Sequence, residues 1–216
     1  MTDMRHSTHT TPADELADIE RITLGHYDAN AQSFWIGTKD HDVSQNYDKL
    51  LGQFPAGQPL DILDFGCGPG RDLRYFLSLG HRPVGLDGSP AFCDMARANT
   101  GCPVLQQSFL SLDLPRAAFD GVFANASMFH VPSQELPRVL RALHGALRAG
   151  GILFMSNPRG NSEGWSGQRY GHFVEFDAWE AYLQHAGFDI VEHYYRPPGA
   201  PRAEQPWLAI VSRKRA

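Results

Sequence analysis

LDFGCGPGRD, Leu63–Asp72, runs from a short apolar segment straight into three glycines at alternate positions, Gly66, Gly68 and Gly70. Backbone freedom of this kind right after a buried strand marks the carboxyl end of a strand in a doubly wound sheet, where such sheets hold their ligands. Glycine there admits positive φ and lets a ligand approach the backbone closely. The spacing is G-x-G-x-G. The dinucleotide fingerprint is G-x-G-x-x-G, and Arg71 stands where that pattern needs its last glycine.

The elements around the loop fit this reading. Ile62–Phe65 is a short apolar strand, and the helix after it carries Leu73, Phe76 and Leu77 and stops at Gly80. PVGLD (Pro83–Asp87) reads as a second strand, then Ser89 caps a helix with Pro90 at its first position. Val104–Gln106 and GVFANA (Gly121–Ala126) are a third and a fourth strand. Leu136, Val139, Leu140, Leu143 and Leu147 lie at helical spacing before AGG, and ILFMSN (Ile152–Asn157) is a fifth strand. A polar, glycine-rich loop is expected over Pro158–His172, then a helix capped by Asp177 and two last strands from Asp189 and Trp207. Five βα units in series imply a parallel sheet. The last two strands have no helix between them and should pair antiparallel. The expected fold is α/β: a doubly wound, mostly parallel seven-stranded sheet with an antiparallel terminal hairpin and an N-terminal helical cap. Residues 1–13 read as a disordered tail and 56–216 as the core. Residues 14–55 form the cap, with helical positions at Leu16, Ile19, Thr23 and Tyr27 and a second helix starting at Asp42 with Gln45 in a capping box.

Composition narrows the function. The 216 residues carry a formal charge of -5, which gives no basic footprint for nucleic acid. The one basic cluster, Ser212–Arg215, reads as a solvated tail. Three cysteines without C-x-x-C suggest reduced thiols in a cytoplasmic protein. No apolar run approaches a membrane span. His6 and His9 lie in the polar tail and do not suggest a metal site. Asp87, at the end of the second strand, is placed to accept both hydroxyls of a ribose. The residues alone thus indicate a nucleoside-bearing ligand and leave NAD and S-adenosylmethionine (SAM) both open.

The chain resembles the class I SAM-dependent methyltransferases over residues 56–213. The resemblance rests on ILDFGCGPG (Ile62–Gly70), VGLDGS (Val84–Ser89), FDGVFANASMFHV (Phe119–Val131) and LRAGGILFMSN (Leu147–Asn157), in the family's order and spacing. It implies that Asp64 holds the methionine amino end and that Gly66, Cys67, Gly68 and Gly70 line the cofactor. It implies Asp87 on the ribose, Gly88 and Ser89 beside the adenine, and Asn125 facing the methionine half. Family members often carry an acid after the third strand for the adenine amino group; here Ser108 and Phe109 stand there. Tyr27 resembles the tyrosine that closes over SAM. The resemblance implies SAM as cofactor, S-adenosylhomocysteine (SAH) as product and no metal: FANAS lacks the carboxylates of the metal-using subgroup. The [ND]-P-P-[YF] motif of amino-group methyltransferases is absent too.

The implied activity is in-line methyl transfer to an N, O or S atom of a small-molecule acceptor. His130, just after the fourth strand, is the candidate base or positioning group. Trp35, Arg159, Arg169 and Tyr170 are candidates for the acceptor pocket, near Phe34, Trp165, His172 and Arg196. Two arginines among aromatics suit an anionic acceptor. The competing readings are a SAM-binding regulator that does not methylate and an NAD-dependent oxidoreductase.

Overall fold

The computed structural model describes residues 12–215. The expected tail, with His6 and His9, falls outside them up to residue 11. The central sheet holds β1 (Asp61–Phe65), β2 (Arg82–Asp87), β3 (Val104–Gln106), β4 (Phe119–Asn125), β5 (Leu147–Pro158), β8 (Phe188–Arg196) and β9 (Trp207–Lys214). Their order is β3-β2-β1-β4-β5-β9-β8, parallel except that β9 runs against both β5 and β8. The sheet is thus the expected seven-stranded one, with the terminal hairpin at its edge.

Strand alternation explains the continuous apolar runs. Leu63, Val122, Leu153 and Ile210 face one way, packing with Leu136, Val139, Leu140 and Leu143 of α6 (Leu136–Ala146) and Trp179 of α7 (Phe176–His185). Ile62, Phe123, Ile152, Phe154 and Val211 face the other, against Phe76 of α4 (Arg71–Ser78) and Tyr47 and Leu50 of α3 (Ser44–Leu51). Both faces are covered, so neither residue parity can be polar. Fully burying each such side chain contributes about 1.5–3 kcal/mol.

Several elements differ from expectation. The third strand has no helix after it: residues 107–118 form a loop, closed where the Gln107 amide bonds Asp113 N and O, both at 2.9 Å. Pro158–His172 is no loop. It holds an antiparallel hairpin of β6 (Ser162–Ser166) and β7 (Arg169–Phe173), turning at Gly167 and Gln168 with Trp165 opposite Tyr170. The Ser212–Arg215 cluster is not a free tail. β9 runs to Lys214, whose ammonium donates to His144 O and Leu147 O, and Arg215 donates to Gln184 O and Phe188 O. Asp42 and Asp177 do not cap their helices. Asp42 Oδ1 accepts from Ser44 N just before α3, and Asp177 lies in the first turn of α7. Of the cap, α3 is a layer of the sheet. Only α1 (Ala13–Ala29) and α2 (Ala31–Thr38) stand over the carboxyl edge, where α1 touches α5 (Pro90–Thr100) and β7.

Candidate active site

The carboxyl ends of β1, β2 and β4 floor a cavity of about 560 Å³, roofed by α1 and α2. The glycine loop forms one wall. Its three glycines all have positive φ, +78°, +51° and +94°, but each serves a different end. Gly66 lies so close to Ser127 that an added Cβ would fall 2.4 Å from the serine Cβ. At Gly68 an added Cβ would meet only the Phe34 ring, at 3.8 Å. Gly70 does not line the cavity; it packs against Ala96 and Thr100 of α5, letting the two helices approach. Cys67 lines the wall, with its sulfur pressed over Gly85. Burial, with Asp64 and Asp87 nearby, pushes its thiol pKa well up, so the thiolate is suppressed.

Three carboxylates surround the loop. Asp87 Oδ2 accepts from Gly68 N and Oδ1 from Ser89 N, both at 2.9 Å. Burial nevertheless raises its pKa to about 6. Asp72 takes a two-pronged ion pair from Arg71, Nε at 2.6 Å and Nη2 at 2.9 Å, plus the Tyr47 hydroxyl. Asp64 lies beneath the loop, 1% exposed, and its Oδ2 has no hydrogen-bond partner. Burial, then the Asp72 charge, raises its pKa well above the carboxylate range. A buried carboxylate oxygen without a donor is costly and calls for a cation or a donor from outside. Arg71 answers with spare donors. Of its five N–H groups two go to Asp72 and one, on Nη1, to Thr38 O at 3.3 Å, leaving one on each terminal nitrogen. Asn125 reaches the same wall and receives a bond from Asn46, which accepts from Tyr194. Two residues that the resemblance gives to SAM thus fit it, a cationic amino group suiting Asp64 and ribose hydroxyls suiting Asp87, and Arg71, which the resemblance does not name, adds donors that suit a carboxylate.

The roof is latched at three points. Tyr27 OH lies 2.7 Å from His130 Nε2, and His130 Nδ1 lies 2.7 Å from Tyr170 O. A carbonyl only accepts, so Nδ1 carries the proton and the Nε2 lone pair takes the Tyr27 hydroxyl. Burial lowers the His130 pKa to about 4, keeping it neutral. Thr23 Oγ1 accepts from Tyr170 N at 3.1 Å. Asp28 Oδ1 accepts from Ser89 Oγ and Ala91 N, so a roof residue caps α5. Asp28→Ala should therefore cost about 1 kcal/mol, lowering Tm by about 2–4 °C, and speed SAH release; thermal unfolding and stopped-flow release check the two.

Among the residues predicted from sequence, Tyr27, Trp35, Gly66, Cys67, Gly68, Asp87, Gly88, Ser108, Phe109, Asn125, His130 and Arg169 all line this one cavity. Ser89 is buried behind it as the cap of α5, its Oγ accepting from Phe92 N. Ser108 Oγ accepts from Leu110 N, and the Phe109 ring stacks on Phe65 at 4.2 Å. Arg159 is drawn away from the cavity: it pairs with Glu175 and donates to Arg202 O and Gln205 O. Tyr170 also turns its ring away, its hydroxyl donating to Glu163 at 3.0 Å. Sequence reasoning missed Arg71, Asp72, Leu24 and Trp207. Arg71 and Asp72 had a signal, since they follow the last glycine directly at the start of α4. Leu24 had none; only the fold sets its methyls against Gly88. Among the described residues no His, Cys, Asp and Glu side chains gather as a metal site, and no helix is long and apolar enough to cross a membrane.

Comparison with known proteins agrees with this geometry. A family model described as a methyltransferase domain matches residues 62–151. The chain is 33% identical over 118 residues to trans-aconitate 2-methyltransferase of Azoarcus sp., covering 53% of this chain and 45% of that protein. It is 27% identical over 150 residues to malonyl-[acyl-carrier protein] O-methyltransferase of Pectobacterium atrosepticum, covering 69% and 58%. The chain thus spans about half the length of the curated relatives it matches. Among solved structures it is similar to Burkholderia thailandensis 1,6-didemethyltoxoflavin-N1-methyltransferase, with bound 1,6-didemethyltoxoflavin and SAH. The TM-score there is 0.76 at 23% identity, over 96% of this chain and 92% of that one. Residues 62–151 match a methyltransferase domain, and motif order, strand order and these likenesses support a class I SAM-dependent methyltransferase with a Rossmann-like fold.

Proposed function

We propose that the chain moves the methyl group of SAM to a nitrogen, oxygen or sulfur of a small-molecule acceptor. One observation carries this reading: a single roofed cavity has Asp87 on one wall, the Arg71 donors on another and the partnerless Asp64 oxygen beneath its glycine loop. Bound SAM supplies an electrophilic methyl, and the protein supplies alignment and water exclusion. Asp64 and Arg71 hold the methionine end, Asp87 the ribose, and Ser108 and Phe109 the adenine. The aromatic roof of Tyr27, Phe34 and Trp35 excludes water. Transfer then requires the acceptor atom about 3–3.5 Å from the methyl carbon. The relatives' names point to trans-aconitate, a malonyl group on a carrier protein and 1,6-didemethyltoxoflavin, which supports a small acceptor group. Free, buried cysteines suit the reducing cytoplasm.

His130 is read as the holder of Tyr27, since its one lone pair is engaged and burial disfavours its cation. A proton leaving the acceptor reaches His130 only by way of Tyr27. His130→Ala should therefore lower kcat less than about tenfold, with SAM affinity down a few-fold as the roof loosens. Single-turnover kinetics at saturating SAM check this. A loss of kcat beyond about a hundredfold with intact SAM binding would restore His130 as a base.

A metabolite extract incubated with labelled SAM tests the function. Label in a small molecule supports transfer. Label in none, with SAH bound, favours the regulator.

A further inference from the structure

The cavity carries cationic groups that the proposed SAM contacts do not use. Three arginines line it. Arg71 is neutralised by Asp72. Arg169, the first residue of β7, and Arg196, the last of β8, form no ion pair with a carboxylate among the described residues. Arg196 is half-buried and stands opposite Trp207 in the β8–β9 ladder, which puts both side chains on one face, at the cavity wall. Arg169 lies at the exposed rim beside Tyr27. Its strand is fixed from both sides, by Tyr170 N on Thr23 and Tyr170 O on His130. Besides Asp72 and Asp87, two further acids reach the wall, Glu20 and Asp42. The Ser44 hydrogen bonds, and more weakly the Arg196 charge, lower the Asp42 pKa, but neither acid forms an ion pair with Arg169 or Arg196 among the described residues.

The half-buried Arg196 guanidinium gains from a ligand that supplies its missing counter-charge, and Arg169 at the exposed rim offers a second donor fork beside Tyr27. A sulfonium in the same cavity adds a further positive charge, which an anionic ligand at the two arginines offsets. Resting on the methyltransferase reading above, we infer that Arg169 and Arg196 form an anion subsite, and that the methyl acceptor is a small molecule bearing a carboxylate. The subsite holds the carboxylate by charge-assisted, two-pronged hydrogen bonds and so turns the rest of the acceptor toward the methyl group. Phe129 and Trp207, which also line the cavity, offer the acceptor's body apolar surface. Both arginines lie outside residues 62–151, the stretch shared with the family model, so the subsite belongs to the part of the chain that individualises it.

The test uses the whole chain, with SAH affinity measured first by calorimetry. A metabolite extract is divided, and one half is treated with carbodiimide and methylamine, which converts carboxylates to uncharged amides. Labelled SAM should methylate a small molecule in the untreated half, and at least tenfold less product should form in the amidated half. With the purified acceptor, Arg169→Gln and Arg196→Gln should each raise KM about ten- to a hundredfold. SAH affinity should stay within twofold, and Arg196→Lys should recover part of the loss. Equal labelling of both halves, or unchanged KM in both Gln variants, would overturn the inference. No labelling of either half by protein that binds SAH would instead defeat the methyltransferase reading on which it rests.

Discussion

Asp87→Asn should weaken SAM binding by about a hundredfold or more while the fold survives. The ionised carboxylate offers acceptors to both ribose hydroxyls, and each hydrogen bond to a charged group contributes about 1.5–3 kcal/mol. The same carboxylate orders the wall through Gly68 N and Ser89 N. An amide at this site has one acceptor oxygen, and its NH2 group would face a backbone donor. Stability is expected to hold because burial opposes the charge on Asp87, raising its pKa to about 6. A carboxyl whose folded pKa exceeds its unfolded value of about 3.9 adds stability below that value. That contribution is lost as pH rises through about 6, so at neutral pH the substitution removes a strained charge. SAM affinity has the opposite slope. Binding uses the ionised form, so affinity should fall by up to about tenfold per pH unit below pH 6. Asp64, raised in pKa as well, adds to the same slope if it meets the methionine ammonium as an anion. Calorimetric titrations from pH 5 to 7.5 read both effects. A flat profile would show that Asp87 does not meet the ribose.

The second large effect separates two glycines of the same loop. Gly66→Ala would set a Cβ 2.4 Å from Ser127 Cβ at φ +78°. The left-handed conformation costs about 1–2 kcal/mol, and forced packing adds about 1–3 kcal/mol. Tm should fall by about 5–15 °C, and SAM binding should fail with it. Gly68→Ala meets only the Phe34 ring at 3.8 Å, at φ +51°, so strain is its main cost to the fold. Its Tm should drop by only about 2–6 °C. Its methyl group would enter the space proposed for the cofactor, so SAH affinity should still fall at least tenfold. Thermal unfolding and calorimetry on the pair check this. Equal Tm losses, or full SAH affinity in Gly68→Ala, would show that the loop's ligand face is misassigned.

What could be read from the sequence divides along physical lines. The sheet was legible because its inner strands bury both faces and stand out as unbroken apolar runs, as in ILFMSN. The glycine loop was legible from its alternate-glycine spacing, and Asp87 from its place at the end of the second strand. The hairpin at Ser162–Phe173 was not, since its outer strand is polar and exposed and only the Trp165–Tyr170 pairing marks it. Arg159 and Arg169 looked equivalent, ten residues apart among polar neighbours. Their fates differ because Glu175 and two carbonyls draw one away while the hairpin presents the other to the cavity. The engagement of His130 by Tyr27 could not be read locally either, as the two lie 103 positions apart and meet only when α1 docks beside the turn that follows β4.

The central claim, that this cavity is a SAM site, is tested most directly by calorimetric titration of the protein with SAH and, separately, with NAD at pH 7.5. One SAH should bind per chain, with micromolar or tighter affinity that weakens about a hundredfold or more in Asp87→Asn, and NAD should give no heat of binding. Binding of NAD, or no binding of SAH by folded protein, would contradict it.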